Sequence, residues 1–154
     1  MRPYADTNFL CRLYLPVAES GEAARRLADA QAQTGPPLPV SWLHRLETIN
    51  AFQLYVFTGN TRGQTRVTPE QAAAAQATFQ TDLAHPTFLR CVHLALPDVE
   101  AQFEELALRH TAKHGFRTYH LLHVASALLL RCDTFWSFDP KASKLAALEG
   151  LRER

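Results

Sequence analysis

Residues 117–139 read RTYHLLHVASALLLRCDTFWSFD: a helix that is apolar on almost every face, a break, and a short aromatic strand ending on an acid. A helix apolar all round has no face to give to water, so 121–130 is predicted to be central in the packing, with Thr118 as its cap. The strand at 133–139 leads into DPKASKLAALEGL, a closing helix with Asp139 at its cap and Pro140 at its first position. The chain upstream repeats this alternation of brief strands and helices. Residues 3–6 form a strand candidate that runs into a helix over 7–15, where Phe9, Leu10, Leu13 and Tyr14 fall at helical spacing and Pro16 stops the run.

A second helix is predicted over 20–33. TGPPLPV (34–40) breaks the chain, LPVSW holds a brief strand, and a third helix runs over 42–57 until GNTRG (59–63) ends it. In that helix Leu43, Leu46, Ile49 and Phe52 are the expected buried stripe, with Glu47 at its edge. Thr68, Pro69 and Gln71 form a helix start with a capping hydroxyl, a proline and a reciprocal glutamine, predicting a helix to about residue 84. Residues 88–94 alternate as a partly exposed strand, Asp98 is the expected cap of a helix to 114, and Gly115 ends it.

Short strands alternating with helices predict an α/β sandwich with a mostly parallel sheet, one domain over 1–154, whose ligands gather beyond the carboxyl ends of the strands. Sixteen basic and fifteen acidic side chains give a net charge of +1, so no overall field draws the protein to nucleic acid or membrane. Cys11, Cys91 and Cys132 form no C-x-x-C pair, which fits buried, reduced thiols. Polar Asp6, Thr7 and Asn8 interrupt the amino end before a secretory-length apolar run develops, and no later run has membrane-spanning length. The expectation is a soluble, cytoplasmic protein with no membrane partner.

Asp6 and Asp139 stand at strand ends, and Glu47 projects from the helix after the second strand. Each has a plain structural reading: the aspartates suit helix caps, the glutamate a solvated face. If the three converge, they need a counter-charge, since two unit charges 4 Å apart repel by about 4 kcal/mol at an effective dielectric near 20. A hard divalent cation supplies it, and the chemistry implied is phosphodiester hydrolysis. A phosphatase with an aspartate nucleophile expects a second aspartate two residues after the first, where this chain has Asn8.

YADTNFL (4–10), LETINAF (46–52), HVASAL (123–128) followed by TFWSFD (134–139), and LAALEGL (145–151) together resemble the PIN-domain family, in particular the VapC-like toxins of bacterial type II toxin–antitoxin pairs. The resemblance spans nearly the whole chain. It implies a PIN-like three-layer α/β sandwich, with a short, mostly parallel central sheet flanked by helices. It also implies a Mg²⁺- or Mn²⁺-dependent endoribonuclease acting on RNA, dimeric, and inhibited by a small antitoxin bound among the helices of 9–57. On the matching positions, Asp6, Glu47 and Asp139 are the implied metal-site acids, while Thr7, Asn8 and Ser137 are polar supports that orient them.

This chain departs from the pattern in one place. The family has an aspartate three residues before the histidine of the HVASAL-like segment, and here that residue is His120. His120 therefore joins Asp6, Glu47 and Asp139 in the candidate catalytic set, and Asp6 and Asp139 as a candidate metal ligand. A neutral imidazole suits Mn²⁺ or Zn²⁺ better than Mg²⁺. A protonated one would instead act as a counter-cation and leave a site that binds RNA or antitoxin without cleaving. His123, one turn on, reads as a core histidine bonded to backbone. Arg62, Arg66, Arg117, Lys141 and Lys144 are candidates for phosphate contact, with Arg117 and Lys141 foremost. Trp42 and Trp136 read as core.

Overall fold

The computed structural model describes residues 1–33, 35–62 and 67–153, apart from the side chains of 60–62. In chain order the elements are β1 (Pro3–Ala5), α1 (Thr7–Tyr14), α2 (Ser20–Ala32), β2 (Leu38–Val40), α3 (Trp42–Arg62), α4 (Pro69–Ala84) and β3 (Leu89–Cys91). There follow α5 (Leu96–Leu106), a π turn (Ala107–Thr111), α6 (Ala112–His114), α7 (Thr118–Leu129), β4 (Thr134–Trp136), α8 (Pro140–Leu148) and β5 (Arg152–Glu153). Contacts gather the chain into two compact units, Met1–Asp6 with Val92–Arg154, and Thr7–Cys91.

In the first unit β1, β4 and β5 form a parallel sheet in the order β1-β4-β5, with Tyr4 opposite Phe135 and Phe135 opposite Glu153. α7 packs against α5 and α8. Its buried residues include Leu121, Val124, Ala125 and Ala127, which join Tyr4, Phe135, Leu106 and Leu145 in one core. Each large apolar side chain buried there stabilises by roughly 1.5–3 kcal/mol. Two polar residues that α7 carries into this core are bonded: His123 Nδ1 shares a 2.9 Å hydrogen bond with the Tyr4 hydroxyl, and Ser126 Oγ donates to the Leu122 carbonyl at 2.8 Å. The core role expected of His123 holds, and one of its bonds goes to a tyrosine side chain.

In the second unit β2 and β3 pair in parallel, with Val40 opposite Cys91. Both ends of α4 lie where the sequence puts them, and Thr68 and Gln71 complete the predicted reciprocal cap: Gln71 N–H donates to Thr68 Oγ1 at 3.2 Å and Thr68 N–H to Gln71 Oε1 at 2.9 Å.

Several expectations are corrected. α3 continues past Phe57 through Gly59 to Arg62, a glycine inside a helix costing only about 1 kcal/mol. Its dry face is Leu43, His44, Thr48 and Phe52, while Leu46 is 66% and Ile49 37% exposed. The face is rotated because His44 is satisfied locally, its Nδ1 accepting the Ser41 N–H at 3.1 Å, and so tolerates burial. Trp136 is core, but Trp42 lies at the surface. Asp98 is no cap: α5 opens at Leu96 with Pro97 beside it, and Asp98 lies within the first turn, where its charge still suits the helix dipole. Thr118 is the first residue of α7 and Arg117 its cap. The closing helix stops at Leu148, and after Gly150, at φ +80°, the chain adds strand β5, which two charged residues gave no pattern to predict. Cys91 is exposed and Cys132 half-buried, so only Cys11 is the buried thiol expected. The candidate phosphate contacts Arg62 and Arg66 lie outside the described side chains.

Asp133 ties the amino end to this sheet, accepting from the Arg2 N–H at 2.9 Å and pairing with Arg152. The Arg2 amide chiefly, with the Thr134 hydroxyl and Arg152, outweighs partial burial and holds the Asp133 carboxyl down at about 2. A folded value below the unfolded one means stability present above about pH 4 and lost as pH falls toward 2. Asp133 is 37% exposed, so solvent limits the contribution to about 1 kcal/mol. Asp133→Asn is expected to lower urea stability by that amount at pH 6 and by nothing measurable near pH 2; an unchanged difference across that range would mean the loss is not electrostatic.

Candidate functional site

Asp6 follows the last residue of β1, and Asp139 lies three residues past β4, so the parallel pairing of these strands carries both acids to one end of the sheet. Asp6 is 3% exposed; its N–H donates to the Trp136 carbonyl at 3.1 Å, extending the ladder by one bond. Ser137 connects the two acids. Its hydroxyl donates to Asp6 Oδ2 at 2.6 Å while its oxygen accepts the Asp139 N–H at 2.9 Å. One side chain thus fixes a buried carboxylate and the backbone that presents the other.

Asp139 uses its two oxygens differently. Oδ1 caps α8, accepting from the N–H groups of Lys141 at 2.8 Å and Ala142 at 3.3 Å, and Oδ2 lies 3.1 Å from His120 Nε2. Burial pushes this carboxyl up, but the His120 bond and the Lys141 amide outweigh it and hold Asp139 below its ordinary value. The capping role read from the sequence is therefore real, and it leaves one oxygen for the site.

His120 is buried at 1% exposure, and its ring is held at both nitrogens. Nδ1 accepts the backbone N–H of Arg117 at 3.2 Å, which makes Nδ1 the unprotonated nitrogen and puts the hydrogen on Nε2, aimed at Asp139. At the third position of α7 the imidazole does what glutamate does in a reciprocal cap, and His44 does the same at the start of α3. Sequence reasoning identified the position and missed this bond. The signal was available in the three-residue spacing from Arg117 to His120.

In the second unit, Glu47 is half-buried and its Oε2 accepts from Thr7 Oγ1 at 2.9 Å. Asn8 is half-buried on α1, and its carbonyl accepts from Arg12 at 2.9 Å. Arg117 is exposed at the start of α7, and Lys141, also exposed, donates from Nζ to the Gly115 carbonyl at 3.2 Å. Among the described residues no three His, Cys, Asp or Glu side chains are arranged to hold a metal ion.

No family model and no curated protein matches this sequence. Among solved structures, the fold matches that of VapC20 of Mycobacterium tuberculosis, a sarcin-ricin loop cleaving toxin, over 92% of this chain and 93% of that one, with a TM-score of 0.60 and 21% identity. The fold is VapC-like. Short parallel strands among helices match that PIN-like fold, and Asp6 and Asp139 lie just past the ends of two of those strands.

Proposed function

We propose that this VapC-like chain is an endoribonuclease, the toxin of a type II toxin–antitoxin pair, dependent on Mg²⁺ or Mn²⁺. The observation that carries the reading is the Ser137 bridge, which holds the buried Asp6 carboxylate against the segment presenting Asp139. A carboxylate as buried as that of Asp6 is costly unless hydrogen bonds and a positive charge compensate it. The donors fit a hard cation: oxygen ligands only, and one or two carboxylates suffice for Mg²⁺, which keeps several of its waters. Asp6 and Asp139 would hold the ion, with Glu47 as the third acid of the set. When bound, such an ion neutralises charge on the phosphodiester and makes a coordinated water more acidic.

The chain's own groups do the rest. Ser137 orients Asp6, and Thr7 does the same for Glu47, with Asn8 beside it on α1. In the bonded tautomer His120 presents an N–H to Asp139, so we assign it the positioning of that carboxylate in preference to the ligand role its motif position allows. Arg117 and Lys141 are the phosphate contacts. The match across both compact units supports reading 1–154 as one PIN-like domain. The partners proposed are RNA, a second copy of the chain and a small antitoxin. Leu46, Leu54 and Phe57 on α3, at 66%, 52% and 64% exposure, supply the apolar surface that an antitoxin helix needs. Among the described residues no helix is long and apolar enough to cross a membrane, and a cytoplasmic location completes the proposal.

One observation favours a second reading. The His120 N–H directed at Asp139 occupies an oxygen that a cation would use, as in a relative that binds RNA or antitoxin without cleaving. The test is cleavage of ribosomal RNA by the purified chain in Mg²⁺, in Mn²⁺ and in EDTA. Cleavage in either metal and none in EDTA is expected; no cleavage in either metal leaves the second reading.

A further inference from the structure

Along α8 a groove of about 580 Å³ opens beside Ser137, the residue that holds Asp6. Phe138, Ser143 and Lys144 line it together with Leu148 and, from β5, Glu153. Leu148 is 46% exposed, an apolar surface given to solvent within the lining of the groove. Lys144 also belongs to a basic edge. Loss of hydration and the nearby charges of Lys144 and Lys113 hold the His114 imidazole below its ordinary value, and Lys141 reaches across to the Gly115 carbonyl. The end of α6 and the first turns of α8 therefore present Lys113, Lys141 and Lys144 together. None of the three is ion-paired with another described residue.

We propose that this groove binds one nucleotide of single-stranded RNA next to the bond that is cut, its phosphate on Lys144 and its base edge on Glu153, with guanine the best fit. That a bond is cut there rests on the ribonuclease reading; binding rests on the groove alone. Lysines free of carboxylates attract a phosphate, and the size of the cleft is in the range that accepts a small ligand. The two charges come from different walls and set the direction, because Glu153 repels a phosphate and accepts hydrogen bonds. Among the bases, guanine offers two adjacent donors, N1–H and the N2 amino group, to the two oxygens of a carboxylate, whereas uracil offers a single N–H. Leu148 supplies an apolar face for the ring, and unpaired bases are read on such edges in single-stranded RNA.

The test is fluorescence anisotropy with labelled UUGUU and UUUUU pentamers in EDTA, so that binding is read without cleavage. Wild type is expected to prefer UUGUU by about tenfold. Glu153→Gln keeps the affinity for UUUUU and reduces the preference to about twofold, while Lys144→Glu and Ser143→Trp weaken both pentamers by about tenfold, all with unchanged melting temperatures. Wild type failing to bind either pentamer, or Lys144→Glu and Ser143→Trp binding both like wild type, overturns the inference, the latter pointing to a protein segment as the occupant. Cleavage in Mn²⁺ with either of those results leaves the ribonuclease reading standing. The expected binding pattern without cleavage sinks that reading and keeps the groove.

Discussion

Asp6→Asn is expected to lower RNA cleavage by about 10³-fold in saturating Mn²⁺ while leaving the fold intact, the scale on which removing one preorganised electrostatic group acts in an active site. The substitution is nearly isosteric. The amide oxygen of the introduced asparagine can still accept from Ser137 Oγ, and the Asp6 N–H to Trp136 carbonyl bond belongs to the backbone, so the melting temperature should move by only a few degrees. What disappears is the negative charge. Titration calorimetry should therefore show Mn²⁺ binding lost or weakened at least tenfold in the Asp6→Asn protein, in parallel with cleavage. Ser137→Ala separates ligand from support: removing an orienting hydroxyl costs about 10–100-fold, with the charge retained. An Asp6→Asn protein that cleaves within about tenfold of wild type would remove Asp6 from the site altogether.

Much of this arrangement is legible in the sequence, and what is not has physical causes. Elements with local chemistry read correctly: the Thr68–Gln71 cap, the helix stop at Gly115, and Asp139 with Pro140 at the head of α8 are decided by residues within a turn of each other. The dry face of α3 does not follow hydrophobicity. His44 and Thr48 are polar and fully buried, and Leu46 is apolar and wet. β5 has two charged residues and exists because Leu151 and Gly150 turn the chain back beside β4, a tertiary event. In the site, the acids could be named from motif and strand ends, since parallel strands bring their carboxyl ends together. The Ser137 bridge and the two bonds of His120 depend on side-chain directions that spacing does not specify.

His120→Asp is expected to raise Mg²⁺ affinity by about tenfold or more, to raise cleavage in Mg²⁺ with it, and to destabilise the metal-free protein. In the wild type the ring has two bonds, one to the Arg117 amide and one to Asp139. An aspartate at the third helical position can accept the Arg117 amide and favours the positive end of α7, but it is shorter and has no hydrogen for Asp139. The Asp139 oxygen loses its donor and becomes available to a cation, and the site gains a negative charge. Without metal the same change brings like charges together in a buried place and leaves space where an imidazole stood, a loss of roughly 1–3 kcal/mol. Added Mn²⁺ binds the folded state and should restore that loss, so the melting temperature of the variant becomes metal-dependent far more steeply than that of wild type. His120→Asn is the control: it is close in size to aspartate and adds no charge, so it should lose stability without gaining metal affinity. Wild type cleaving as well in Mg²⁺ as the aspartate variant would show that the imidazole does not impair the site. In that event the His120 to Asp139 bond would be a contact that the bound ion displaces at little cost.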